Sequence, residues 1–160
     1  MSVASMKGSS YYVNFIDDFS RKIWIFFMRT KDELFSWFRE FKALVENHTR
    51  KKIEILRLDN EGEYTSNDFK YFYKKTGIKR ELTMSYNPQK NEILERNNWA
   101  MVGAAKEMIH DQNLLMFLWV ENCNMIAYAQ NISPHNILGD KTPKEAFFGV
   151  KPNIGHFCNF

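Results

Sequence analysis

Two stretches restrict the fold of this chain more than anything else in it: Ile55-Leu-Arg-Leu-Asp59-Asn-Glu-Gly-Glu-Tyr64 and Tyr86-Asn-Pro-Gln-Lys-Asn-Glu-Ile-Leu-Glu95-Arg-Asn-Asn98. The first reads as a buried strand that ends in an acid and then turns. The second reads as a loop, broken at Pro88, that runs into a helix whose second turn carries another acid. Thirty-five residues, 60 to 94, lie between Asp59 and Glu95. Either acid alone is an ordinary surface charge, and Asp59-Asn60 by itself is a common turn pair. Held together, a strand-end Asp and a helix-borne Glu offer the carboxylate oxygens that hard Mg²⁺ ions prefer, the donor set of phosphoryl transfer.

The rest of the chain alternates strand and helix signals. Tyr11 to Ile16 and Lys22 to Met28 are β-branched and aromatic runs joined by the polar turn Asp17-Asp18-Phe-Ser-Arg21, which predicts a hairpin. Thr30 with Glu33 three residues later is a capping box. Leu34, Trp37, Phe38, Phe41, Leu44 and Val45 follow at helical spacing, so one apolar stripe is expected to about Glu46. Lys51-Lys52 leads into a strand over Ile53 to Leu58. Ser66 opens a second helix with Phe69, Phe72 and Tyr73 on one face and Gly77 as its stop. Ile78 to Leu82 reads as a fourth strand, 91 to 110 as a long helix, and Leu114 to about Asn131 as an apolar helix ended by Pro134. Thr142-Pro143-Lys-Glu145 is a further box with Pro at the first helical position, opening a short helix closed by Gly149.

Composition sets the class. At 160 residues the chain suits one core, and the expectation is a single domain over 1–160. With 44% hydrophobic residues and 14 Phe it has ample apolar volume to fold. No apolar run approaches the roughly 18 to 20 residues of a membrane helix, and Met1 to Ser10 has no signal-peptide core. Cys123 and Cys158 are unclustered thiols, which argues for a reducing compartment and against a disulfide scaffold or a zinc site. His48, His110, His135 and His156 lack ligand spacing. A net charge of +3 permits nucleic-acid binding without indicating it.

Five segments, in order, carry a resemblance to a known family: Tyr11 to Arg21, Phe38 to Glu46, Leu56 to Asn67, Gly77 to Glu81 with Tyr86 to Glu95, and Lys141 to Ala146. The chain resembles the integrase catalytic core of copia-type retrotransposons, within the ribonuclease H-like group. The resemblance implies an α/β fold, a mixed sheet flanked by helices, and a role in DNA integration through metal-dependent 3′-processing and strand transfer. It implies that Asp59 and Glu95 are the second and third members of an Asp-Asp-Glu triad that holds Mg²⁺ or Mn²⁺. Lys90, Arg96 and Lys106 become candidate phosphate contacts, with solvated charge the competing reading for each. DNA is the implied partner, a homo-oligomer stays open, and a nuclear or cytoplasmic location is expected.

The departures from the family pattern carry expectations too. The family's first Asp lies on an opening strand upstream of Tyr11, and Met1 to Ser10 contains no acid. The expectation is therefore an incomplete triad, a central first strand largely missing, and no activity from these residues alone. Asp17 and Asp18 are expected to be turn-forming rather than metal-binding. Glu61 and Glu92 stand where the family usually has Gly, and Asn97 and Trp99 where it commonly carries basic residues, so the phosphate-contacting face is weakened. The competing functional expectation is a non-enzymatic interaction module or an unselected relic of an element.

Overall fold

The computed structural model describes Ser5 and residues 8–58, 67–82, 103 and 118–153. Four strands and four helices account for most of them: β1 Tyr11–Ile16, β2 Ile23–Met28, α1 Leu34–Thr49, β3 Ile55–Leu58, α2 Asn67–Thr76, β4 Lys79–Leu82, α3 Trp119–Ile132 and α4 Pro143–Phe148. They divide into two compact units. One holds residues up to Phe27 together with 100–160, and the other holds Met28–Trp99.

In the first unit, β1 and β2 pair as the expected hairpin. The turn is built by Asp17. Its carboxylate accepts from the Ser20 N–H at 2.8 Å and the Ser20 hydroxyl at 2.6 Å. Its N–H donates to the Lys22 carbonyl at 3.0 Å. Arg21 takes a left-handed φ of 61° to close the reversal, and its guanidinium meets the Asp18 carboxylate at 2.9 Å.

Side chains alternate across the strands with period two. Tyr12, Ile16, Ile25 and Phe27 pack with Ile23 toward α3, whose Trp119, Val120, Cys123 and Ala127 are buried. The opposite face carries Val13, Phe15 and Met28, which are also buried. α3 does more than cover the sheet. The Asn131 amide accepts from the Ile23 N–H at 2.9 Å and donates to the Ile23 carbonyl at 2.8 Å, satisfying β2 as a neighbouring strand would.

α4 begins as the sequence expects. The Thr142 hydroxyl accepts from the Glu145 N–H at 3.1 Å, Pro143 occupies the first turn, and Gly149 ends the helix at φ +74°. Trp24 of β2 meets Phe147 of α4 edge-on, with ring centroids 4.9 Å apart.

Near the start of the second unit the Glu33 carboxylate reaches back to the Arg29 and Thr30 N–H groups, each at 3.3 Å. A single 3₁₀ turn, Lys31–Glu33, then feeds α1. Leu34, Phe38 and Phe41 are buried on one line of α1. Leu44 is 51% exposed, a correction to the expected stripe. At 3.6 residues per turn it lies about 90° from the line through Leu34, Phe38 and Phe41, on its margin. α1 also runs past Glu46 to Thr49, where Arg50 caps it in a left-handed conformation.

α2 buries Phe69 and Tyr73. Phe35 and Phe38 of α1 meet Phe69 at 4.9 and 5.8 Å and Phe72 at 5.5 and 6.0 Å, mostly edge-on, the arrangement aromatic quadrupoles favour. Gly77, at φ +72°, stops α2 as predicted.

β3 and β4 pair in parallel, Ile55 opposite Lys79 and Leu58 opposite Leu82. β3 begins at Ile55, two residues later than the apolar run suggested. The expectation that Ile55 is buried fails: it is 44% exposed. Ile55 shares a face with exposed Arg57, while Leu56 and Leu58 point the other way and only Leu58 is fully buried. Among the described residues the four strands form two separate two-stranded sheets, and no strand joins the hairpin to the β3–β4 pair. The long helix expected over 91 to 110 lies outside the described residues except for Gly103, which is helical.

Candidate functional site

The site the sequence points to is approached through β3. Leu58, 4% exposed, is its last residue, and Asp59 follows directly in the chain. Parallel pairing with β4 fixes the register of that approach, and Arg57 adds a cross-strand link to the Glu81 carboxylate at 3.2 Å. Lys79 shares the same carboxylate at 3.2 Å. These bonds from Arg57 and Lys79 hold the Glu81 carboxyl below its usual range. Arg57 and Glu81 therefore brace the strand and are not offered to a ligand.

Asp59, Glu95, Lys90, Arg96 and Lys106 all lie outside the described residues, as do Glu61, Glu92, Asn97 and Trp99. Among the described residues no group of three His, Cys, Asp or Glu side chains could hold a metal ion. The donor set expected from the sequence is the Asp59 and Glu95 carboxylates. Hard oxygen donors of that kind fit Mg²⁺ or Mn²⁺.

Asp17 and Asp18 behave as the turn reading requires. Asp17 is spent on Ser20 and Asp18 on Arg21. Cys123 is a buried free thiol whose pKa burial pushes up to about 11, so it stays protonated and is packing rather than a nucleophile. Cys158 lies outside the described residues. His135 accepts the Ile137 N–H at its Nδ1 at 3.3 Å, a turn bond that leaves no sign of a ligand role. His48 is exposed near the end of α1.

Two features escaped the sequence reading. Lys22 is only 8% exposed. Its ammonium sits 3.7 Å from the Trp24 ring centroid and 5.6 and 5.4 Å from those of Phe147 and Phe148. Burial pushes its pKa down to about 8, Lys144 adds to that, and Asp17 opposes it. The signal was the Lys22-Ile-Trp24 alternation beside a distant Phe147-Phe148 pair, and no local pattern links the two. The second feature is the concentration of cations where β3 and β4 begin, visible only once the strands are known to be parallel.

Comparison with known proteins agrees with this layout. The family described as "Integrase core domain" matches residues 1–88. The chain is 37% identical over 160 residues to the retrovirus-related Pol polyprotein from transposon TNT 1-94 of Nicotiana tabacum, covering all of this chain and 12% of that protein. It is 26% identical over 151 residues to the corresponding polyprotein from transposon RE2 of Arabidopsis thaliana, covering 94% of this chain and 10% of that protein. The chain thus spans roughly a tenth of the length of these relatives.

Among solved structures, it superposes with a TM-score of 0.61 and 16% identity on the HTLV-2 integrase catalytic core domain in complex with magnesium (trimeric form), over 86% of this chain and 92% of that one. A simian T-cell lymphotropic virus intasome chain matches with a TM-score of 0.65 and 17% identity, over 89% of this chain and 49% of that one. The strand and helix order, the family match and the polyprotein relatives converge, and the chain belongs to the integrase core domain family.

Proposed function

We propose that Asp59 and Glu95 are two of the carboxylates of a metal-dependent DNA-joining site of the copia type, with a role in DNA integration. The observation that carries this is β3: a strand paired in parallel with β4 that ends at buried Leu58 and is followed directly by Asp59. Glu95, in the helix expected over 91 to 110, is its partner. The structure of the HTLV-2 core with magnesium supports the choice of ion.

When bound, Mg²⁺ or Mn²⁺ would activate a water or 3′-hydroxyl and neutralise the leaving oxygen. The chain's own contribution would be two oxygen-donor carboxylates, expected about 4 to 8 Å apart as a shared or bridged pair of ions requires. Lys90, Arg96 and Lys106 are the phosphate contacts of the same reading, which places the protein inside the cell with DNA as partner. No helix among the described residues is long and apolar enough to cross a membrane.

No acid precedes Asp17, and Asp17 is committed to its turn. Within these 160 residues two carboxylates are therefore assigned, and the metal-bridging one is left unassigned. The test compares this chain with the same chain extended upstream by a strand bearing one Asp, in Mg²⁺- or Mn²⁺-dependent strand transfer on a short duplex. The 160-residue chain should give no product. The extended chain should give product that Asp59→Asn or Glu95→Gln abolishes. Product from the extended chain that survives both substitutions would overturn the assignment.

A further inference from the structure

We infer that the end of the second unit where β3 and β4 begin is a docking surface for the phosphodiester backbone of nucleic acid, built from Arg50, Lys51, Lys52, Lys74, Lys75 and Lys79. It extends the DNA-joining reading above, because it gives the duplex a second grip at the end of β3 opposite the one that leads into Asp59.

The topology assembles it. α1 ends at Thr49, Arg50 caps it with a left-handed turn, and Lys51 and Lys52 lead into β3. α2 ends with Lys74 and Lys75 in its last turn, Gly77 reverses the chain, and Lys79 opens β4. The Lys79 N–H donates to the Glu54 carbonyl at 2.8 Å, and Ile55 stands opposite Lys79 in the parallel register. Two basic approaches, far apart in sequence, thereby lead into neighbouring paired strands. All six residues are exposed.

Local acids balance them only in part, since Lys52 acts on the Glu46 carboxylate and Lys79 pairs with Glu81. The Glu46 carboxylate is taken by Lys42 and by the Ile53 N–H at 2.8 Å. Glu81 answers Lys79 but is shared with Arg57. Glu54 is the remaining acid on these approaches. The helix dipole explains Lys74 and Lys75, which lie in a last turn where cations are favoured. It also covers Arg50, the C-cap of α1, but not Lys51 and Lys52, which lie beyond that cap. An exposed rim with an excess of cations repels itself, and a polyanion that releases its counterions on binding relieves that repulsion.

The experiment is fluorescence anisotropy of a labelled 30-base-pair duplex with the 160-residue protein, across a salt series. Replacing Lys51, Lys52, Lys74 and Lys75 together by Gln should flatten the slope of log affinity against log salt by about 3 to 4 and weaken binding at low salt at least about tenfold. The four Lys→Arg substitutions should preserve the wild-type slope. Equal losses on double-stranded RNA are expected of backbone recognition. An unchanged slope in the Gln variant, no duplex binding by the wild type, or losses confined to anionic lipid vesicles would overturn the inference. Asp59→Asn should leave the slope unchanged while removing metal binding, so failure of the joining site and failure of this surface read out separately.

Discussion

The β1–β2 hairpin and the β3–β4 pair are both two-stranded, yet they are stabilised differently. The hairpin is apolar on both faces. α3 covers one, the other buries Val13, Phe15 and Met28, and the Asn131 amide completes β2. The β3–β4 pair presents Ile55 and Arg57 outward, buries Leu58, and is laced by the Arg57–Glu81 and Lys79–Glu81 contacts. Hydrophobic burial is worth about 25 cal/mol per Å², whereas exposed ion pairs give roughly 0 to 1 kcal/mol each. The hairpin is therefore the rigid platform, and the strand that leads to Asp59 is the lightly held one. Functional segments are commonly drawn from such less stable parts of a fold.

Substitutions can break or sharpen this contrast. The largest effect should come from Trp119→Ala, since Trp119 is 1% exposed and packs against Tyr12 and Phe27 at 6.5 and 5.5 Å. A loss of about 3 to 5 kcal/mol is expected in chemical denaturation. Phe41→Ala should cost a similar amount in the second unit. A loss under about 1 kcal/mol in either would mean that the corresponding face is misassigned.

Asn131→Ala comes next. It leaves the Ile23 N–H and carbonyl without their side-chain partner and should cost about 1 to 3 kcal/mol. Hydrogen exchange at Ile23 should accelerate with it, and unchanged protection would show that another group satisfies that strand. Ile55→Ala should fall below about 1 kcal/mol, because the side chain already meets water. A core-sized loss there would erase the difference between the two sheets.

The smallest signal is a pH effect in the hairpin unit. Because the Lys22 pKa is lowered from 10.5 to about 8, the unfolded chain binds more protons between those values. Stability should then rise as pH increases through that window. Lys22→Met should flatten this rise in thermal melts, and a wild-type profile that falls over the same range would contradict it.

Much of this was legible in the sequence because the signals were local. Thr30 with Glu33, Gly77, and Thr142-Pro143 with Gly149 mark helix ends by chemistry confined to a few residues, and the structure places the ends there. Asp17 is legible for the same reason. Ile55 was not, because Ile53 to Leu58 reads as an apolar run only if Glu54 and Arg57 are ignored, and alternation then decides which face is wet. Asn131 and the Lys22 cage were hidden because each joins residues more than a hundred positions apart. Asp59 and Glu95 were singled out by their surroundings, and both lie outside the described residues.

The pairing of those acids is the claim on which the account turns, and divalent-metal binding tests it most directly. Mn²⁺ titration of the 160-residue protein, followed by loss of the free-ion paramagnetic resonance signal, should show weak binding that Asp59→Asn and Glu95→Gln each remove. Asp17→Asn should leave that binding intact, because Asp17 is already committed to Ser20. Binding that survives both Asp59→Asn and Glu95→Gln, or that disappears with Asp17→Asn in a folded protein, would contradict the account.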